Sequence, residues 1–218
     1  MQTIAFILAR KNSKRVKNKN HLMLKKFNLV ENAVNFAKKL NFIKRVVLTT
    51  NDKSLLNYNY KYSLIKIKRP ENLSKSNSNS VSALIHAFDV LKRKKIKFEN
   101  ILLLQPTSPF RSKKMLQLGY NIFKKNKFIY SVISVSKSSK QYKKKLEIRK
   151  KKLIFLKKNK NKNFQVNGNF YFASKSFILN NKSFFKNNFT LAFKINSEKY
   201  SIDIDTIHDY KKTLNFLS

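Results

Sequence analysis

Residues 101–105, ILLLQ, form an unbroken apolar run closed by Pro106, and residues 3–8, TIAFIL, form another. Neither alternates polar with apolar, so neither can lie as a strand with one wet face; both need cover on two sides. Helical spacing fills the gaps between such runs. Val30, Ala33, Val34, Ala37 and Leu40 lead into the β-branched RVVLTT (45–50). LIKIK (64–68) alternates as a third strand, and Val81, Leu84, Ile85, Phe88 and Leu91 precede ILLLQ. Met115, Leu118, Ile122 and Phe123 precede YSVISV (130–135). Repeated strand, helix, strand units predict an α/β fold, a mostly parallel sheet between helices. With 42% apolar residues, a chain of 218 can close one core, and residues 1–218 are read as a single domain.

The rhythm fails over residues 137–163, where LEI and LIFL stand inside a charge run. This segment reads either as a solvated hairpin or as a projecting β arm that pairs with a second subunit. Beyond it, FQVNGNFYFA (164–173) and SIDID (201–205) read as strands, and Tyr210, Leu214 and Leu217 as the buried side of a terminal helix.

Composition removes several classes. Without cysteine there are no disulfides, thiolate metal sites or cysteine nucleophiles, which fits a cytoplasmic protein. The run from Ile4 to Ala9 is too short to span a bilayer, and its cations follow it rather than precede it, so no membrane segment or signal peptide is expected. The formal charge of +39 makes nucleic acid a partner class to consider. Yet lysines decorate every segment instead of one face, so nucleic acid is expected to bind only non-specifically, through positive charge.

Position singles out one basic segment from this background. The loop after TIAFIL carries Arg10, Lys11, Lys14, Arg15, Lys17 and Lys19 and no acid; the first acid of the chain is Glu31. It leaves the carboxyl end of the first strand, where ligands of open α/β sheets bind. Gly119 and Gly168 are the only glycines, so no glycine-rich phosphate loop can exist here and side chains must do more of the work. Arg10 can fork onto two phosphate oxygens and Lys19 can act as a mobile point charge, so a nucleoside triphosphate is the natural anion.

Acids number only ten, and three of them fall within SIDIDTIHD (201–209). On an extended strand Asp203 and Asp205 would project to one face, roughly 6.6 Å apart along the chain, with Ile202 and Ile204 turned inward. Asp205 could instead cap the helix starting near Thr206. Taken with the cationic loop, the pair is read as holding Mg²⁺ together with substrate phosphates. His208, beside them, is read as a surface or cap histidine.

The segments ARKNSKRVKNKN, TTND, RPENLS, LLQPTSPFR, NGNFYF and SIDIDT, in that order and at those spacings, resemble the acylneuraminate cytidylyltransferases, or CMP-sialic acid synthetases, a family that includes CMP-legionaminic and CMP-pseudaminic acid synthetases. The likeness covers nearly the whole chain. It implies a Rossmann-like nucleotidyltransferase that joins CTP to an acidic nine-carbon 2-keto sugar with release of pyrophosphate, and a homodimer formed through the 137–163 arm. It also implies roles for particular residues. Arg10, Ser13 and Lys19 fall on triphosphate contacts, Asn20 near the ribose, and Arg69 and Ser80 on the cytosine pocket. Gln105, Asn167, Phe184 and Phe185 fall on the sugar site, and Asp203 and Asp205 on the magnesium ligands. Three positions depart from the pattern: Asn51 and Ser76 stand where many members carry aspartate, and Gln165 where some carry arginine. Loss of that arginine would pass the sugar carboxylate to Lys144 or another cation. The departures keep open an inactive family member serving as a binding subunit, beside the nucleic-acid reading.

Overall fold

The structure, a computed structural model, describes residues 1–11, 13, 15–75, 78–137, 146–155 and 164–217. In chain order the elements are β1 (Thr3–Leu8), β2 (Met23–Leu24), β3 (Phe27–Asn28), α1 (Leu29–Lys38), β4 (Ile43–Thr50), α2 (Lys53–Asn57), β5 (Ile65–Lys68), α3 (Ser80–Arg93), β6 (Asn100–Leu104) and α4 (Lys113–Lys125). They continue with β7 (Ser131–Lys137), β8 (Leu146–Arg149), β9 (Lys152–Phe155), β10 (Phe164–Ser174), α5 (Lys175–Asn181), β11 (Thr190–Lys194), α6 (Glu198–Ser201) and α7 (Ile207–Asn215).

The main sheet runs β5-β4-β1-β6-β10-β7-β11-β9-β8. From β5 to β11 in that order every strand points the same way except β10, which lies antiparallel to both β6 and β7. The expected mostly parallel sheet is therefore present, with one reversed strand in its interior.

Two-sided burial explains the absence of alternation in β1. Ile4 and Phe6 point into the layer made with α3, where Phe6 meets Phe88 edge-on with centroids 5.5 Å apart. Ala5 and Ile7 point the opposite way, into the layer formed by Ala33, Val34 and Ala37 of α1. All of Ile4–Ile7 are fully buried.

Two expectations change in the structure. Residues 202–205 do not form a strand: α6 ends at Ser201 and the chain then runs extended, with the Ile204 amide donating to the Thr107 carbonyl as the backbone tie to the sheet side. One such bond is no ladder. Ile204 is nonetheless fully buried against Leu24 and Leu29, so the inward placement of the isoleucine holds without a strand. Within the charged segment, β8 and β9 form the hairpin suggested by LEI and LIFL, but it continues the sheet edge: Leu146 pairs with Phe164 of β10 and is buried in the main core, and Lys152 pairs with Leu191 of β11. Residues 138–145 and 156–163 of the proposed arm lie outside the described residues. Among the described residues no helix is long and apolar enough to cross a membrane.

α4 packs closely on β10 at Gly119. A Cβ built there would stand 2.8 Å from Cε2 of Phe170 and 3.3 Å from Cε2 of Phe172, rings that are themselves fully buried. In an open helix, alanine would stabilise by about 1 kcal/mol relative to glycine, but overpacking a filled core costs about 1–3 kcal/mol. Gly119→Ala should therefore lower the thermal midpoint by a few degrees; an unchanged or raised midpoint in a calorimetric scan would refute the close contact.

Candidate active site

The carboxyl ends of β1, β4, β5 and β6 share one edge of the sheet, and β10, being reversed, brings its first residues to that same edge. The cationic loop is pinned there at both ends. Ala9 continues the sheet by donating to the Thr49 carbonyl, and the Lys11 amide donates to Asn51 Oδ1 at 2.8 Å. At the far end His21 Nε2 lies 2.8 Å from Asp52 Oδ2. In between, Asn20 Nδ2 donates to the Arg10 carbonyl at 2.8 Å, and Arg10 Nη1 donates to the Lys75 carbonyl at 2.9 Å. Ser13 sits half-buried in the same loop. Asn18 takes a left-handed conformation, φ 53, that turns the chain into the short 3-10 helix Lys19–His21.

Lys19 is only 9% exposed. Its Nζ donates to Asp205 Oδ1 at 3.0 Å, across 186 residues of chain. Arg15 Nη2 lies 3.0 Å from the other oxygen, Asp205 Oδ2. Asp205 is not the helix cap: Thr206 takes that place, accepting from the Asp209 amide in a reciprocal capping box. Asp203 differs in surroundings. Burial pushes its carboxyl up to about 6, helped by the nearby charge of Asp205 and opposed by a hydrogen bond with Thr107 and by Lys19. Its Oδ1 is shut from solvent with no hydrogen-bond partner. A buried carboxylate oxygen without a donor, beside a second carboxylate, is a donor set that fits a hard divalent cation. Among the described residues no group of three or more acidic or histidine side chains gathers, so the remaining ligands of such an ion would be phosphate oxygens and water.

Arg69 and Ser80 also reach this edge. Arg69 is buried, anchored by Nη2 on the Thr49 carbonyl at 2.8 Å, and burial together with the charge of Arg10 lowers its guanidinium to about 10, still charged at neutral pH. Ser80 opens α3 behind the Asn79 cap and is exposed.

Around β10 a second cluster forms. Gly168 has φ +75, and a Cβ there would fall 2.6 Å from both Gln105 Oε1 and Ser108 Oγ, so the turn requires glycine on both counts. Ser108 Oγ donates to the Asn167 carbonyl, and Gln105 Nε2 donates to the Tyr171 hydroxyl at 3.2 Å. Phe184 is buried in the main core with its ring 5.3 Å from that of Tyr171, while Phe185 is half-buried beside it. Phe184 thus supports Tyr171 rather than lining open space. Lys144 and Ser76 lie outside the described residues.

The residues missed from sequence are those whose chemistry is made by burial. Arg111 closes LLQPTSPFR, donates to the Gln105 and Asn169 carbonyls, and is lowered to about 9 by burial, with Asp203 opposing. Asn169 donates to the Phe110 and Tyr200 carbonyls, so this pair ties the loops bearing Gln105, Gly168 and Asp203 together. Burial also raises the Tyr171 hydroxyl, and Asp203 adds to it. The departure at Asn51 acquires a reason. Its oxygen accepts the Lys11 amide while its Nδ2 donates to both oxygens of Glu71 at 3.3 and 3.1 Å, a donation that an aspartate could not make.

A cation-rich loop on the first strand, facing carboxylates at the ligand edge of a Rossmann-like sheet, defines a nucleotidyltransferase. The solved CMP:2-keto-3-deoxy-manno-octonic acid synthetase in complex with CTP shares this fold at TM-score 0.78 and 12% identity, covering 100% of this chain and 98% of that one. The cytidylyltransferase family profile matches residues 4–216, and the chain belongs to that family. It is 29% identical over 223 residues to the CMP-N,N'-diacetyllegionaminic acid synthase of Legionella pneumophila, covering 98% of this chain and 95% of that protein. It is likewise 29% identical over 216 residues to the N-acylneuraminate cytidylyltransferase of Escherichia coli, covering 95% of this chain and 50% of that longer protein.

Two outcomes are expected from this geometry. Asn51→Asp sets a carboxylate against Glu71 and should raise the KM for nucleotide several-fold, with Glu71→Gln in the same chain restoring it; equal kinetics in the single and double variants would remove the pair from any role in holding the loop. The second concerns Asp203. Its carboxyl binds a proton more tightly in the native state than in the unfolded one, so native stability falls as pH rises from about 4 to about 6. Asp203→Asn, with chelator present, should therefore unfold later than the parent at pH 7–8, by on the order of 3 kcal/mol, and the gain should vanish below pH 4. Denaturant midpoints across pH decide it, and a variant less stable than the parent at pH 8 would contradict the burial.

Proposed function

We propose that this cytidylyltransferase transfers CMP from CTP to the anomeric hydroxyl of a nonulosonic acid and releases pyrophosphate. The observation that carries the reading is the meeting of Lys19 with Asp205: the acid-free loop and the paired carboxylates arrive at one point from opposite ends of the chain. The names of the two curated relatives supply the substrate class, an acidic nine-carbon 2-keto sugar.

The residues present divide the work. Arg10 and Lys19, with Ser13 between them, hold the triphosphate, and Asn20 the ribose. Arg69 and Ser80 bound the base. Gln105, fixed by Tyr171 and by the Gly168 turn, orients the sugar hydroxyl toward the α-phosphorus. There the new O–P bond forms as the hydroxyl gives up its proton to solvent, the bond from the α-phosphorus to the β-phosphate oxygen breaks, and Arg10 and Lys19 stabilise the charge that leaves with pyrophosphate. Asp203 and Asp205 would hold Mg²⁺, which when bound neutralises phosphate charge. Gln165 contributes no charge to the sugar carboxylate, which Lys144 or another cation would meet. The amide bridge at Asn51 gives that departure a structural use, which weighs against an inactive relative. Dimerisation of two copies through the 137–163 segment and a cytoplasmic site of action belong to the same reading; sedimentation of the full chain would test the dimer.

The deciding experiment incubates the protein with CTP, Mg²⁺ and a panel of nonulosonic acids and follows pyrophosphate. One sugar should support turnover. Lys19→Ala and Arg10→Ala should each lower kcat by on the order of 10²-fold or more, and Asp203→Asn and Asp205→Asn should abolish it. Wild-type rates in these variants, or no turnover with any sugar of the class, would overturn the proposal.

A further inference from the structure

The end of the sheet opposite the candidate active site holds a second cleft. Its volume is about 470 Å³; Asn100, Phe128 and Phe177 line it, with exposed Lys127, Lys186 and Glu99. Asn100 opens β6 and stands opposite Thr3 of β1 and Ser174 of β10. It is 1% exposed, and among the described residues neither its Oδ1 nor its Nδ2 has a hydrogen-bond partner; the Thr3 hydroxyl has none either. An amide buried with both functions unmet destabilises a fold, and leucine, of nearly the same shape, would escape that cost. Asn100 and Gln105 stand at opposite ends of one strand, roughly 16 Å apart, so the cleft is separate from the site already described.

We propose that this cleft is an accessory binding site for a nucleoside monophosphate, with Asn100 reading the edge of the base. An asparagine amide sets a donor beside an acceptor, and a base edge that offers the complementary pair takes both bonds at once. An acylamino sugar cannot do so, because its trans amide turns its N–H and its carbonyl to opposite sides. No hydrogen bond holds the Asn100 side chain, so rotation about its torsions brings the amide to an occupant. Room is adequate: a water takes about 30 Å³, whereas pockets for small molecules span about 300–1,000 Å³. Phe128 and Phe177 supply ring surface for a flat base. Lys127 and Lys186 against Glu99 leave one positive charge for the phosphate, and the Glu99 carboxylate already accepts the Gln2 amide. Lysines alone would select nothing on a chain of formal charge +39; the unmet amide is what sets this cleft apart.

The test compares the parent with Asn100→Leu by calorimetric titration with CMP, UMP and AMP, and with ribose 5-phosphate as the same anion without a base. With one of the three nucleotides the parent should bind one equivalent more than the variant, in which that equivalent weakens about tenfold or more; which nucleotide does so names the base. Without nucleotide, Asn100→Leu should melt a few degrees above the parent, the reverse of what loss of a structural amide would give. Lys127→Glu with Lys186→Glu, both on the surface, should weaken the same equivalent and leave the melting temperature alone. Equal binding in the parent and Asn100→Leu, ribose 5-phosphate binding as tightly as the nucleotides, or a folded Asn100→Leu that melts below the parent would each overturn the proposal. Should Asn100→Leu not fold, undiminished binding in the lysine pair variant overturns it instead. The difference between chains is read whether or not the active site also takes the nucleotide, so this inference and the functional reading fail separately.

Discussion

A lysine ammonium enclosed to the extent of Lys19 needs an anion within contact distance, because burying an unpaired charge costs far more than a domain can offset. Asp205 is that anion, and much of the site follows from keeping it in place. The carboxylate sits on a segment with little regular structure of its own. It is located by Ile204 in the pocket of Leu24 and Leu29, by the Ile204 amide on Thr107, and by the capping box that starts α7 one residue later. The N-terminal loop, the loop after β6 and the C-terminal helix thus converge on a single ion pair.

Acids are few in this chain, and four of them are paired at or under the ligand-binding edge. Asp205 meets Lys19 and Arg15, Asp52 meets His21 while capping α2, Glu31 accepts the Tyr58 hydroxyl, and Glu71 accepts the Asn51 amide. Each of the four stabilises a feature of the ligand-binding edge or the helix beneath it. With a formal charge of +39, the surface is left almost wholly cationic. Self-repulsion on such a surface is the general cost, and attraction of polyanions the general consequence, so specificity for one nucleotide has to come from the fixed geometry of the loop.

The sheet was legible because TIAFIL and ILLLQ are too short for buried helices, are continuous in their apolar residues and alternate with helical patterns, which together point to central strands. SIDID was misread as a strand because its alternation is real but its cause is a single buried isoleucine, and alternation alone does not say whether a partner strand exists. The phosphate loop and the aspartates could be found from residue type and position. Arg111, Tyr171 and Asn169 could not, since an arginine ending a loop motif and a tyrosine in an aromatic strand look ordinary until the fold removes water from them. Asn51 looked like a loss for a related reason, because its counterpart, Glu71, is a neighbour only in space.

The reversed strand has a bearing on how the molecule comes into being. β10 fills a slot between β6 and β7, both made earlier in the chain. Until residue 174 has left the ribosome, β6 presents NILLL with one unpaired edge, and β7 presents SVISV with two, since both its neighbours, β10 and β11, follow it in the chain. Those are apolar, β-prone edges of the sort that join to other chains. The strand that carries the Gly168 turn and anchors Gln105 is therefore also the one that closes the free edge of β6 and the inner edge of β7, while the outer edge of β7 waits for β11 and the ligand-binding edge for Asp203 and Asp205.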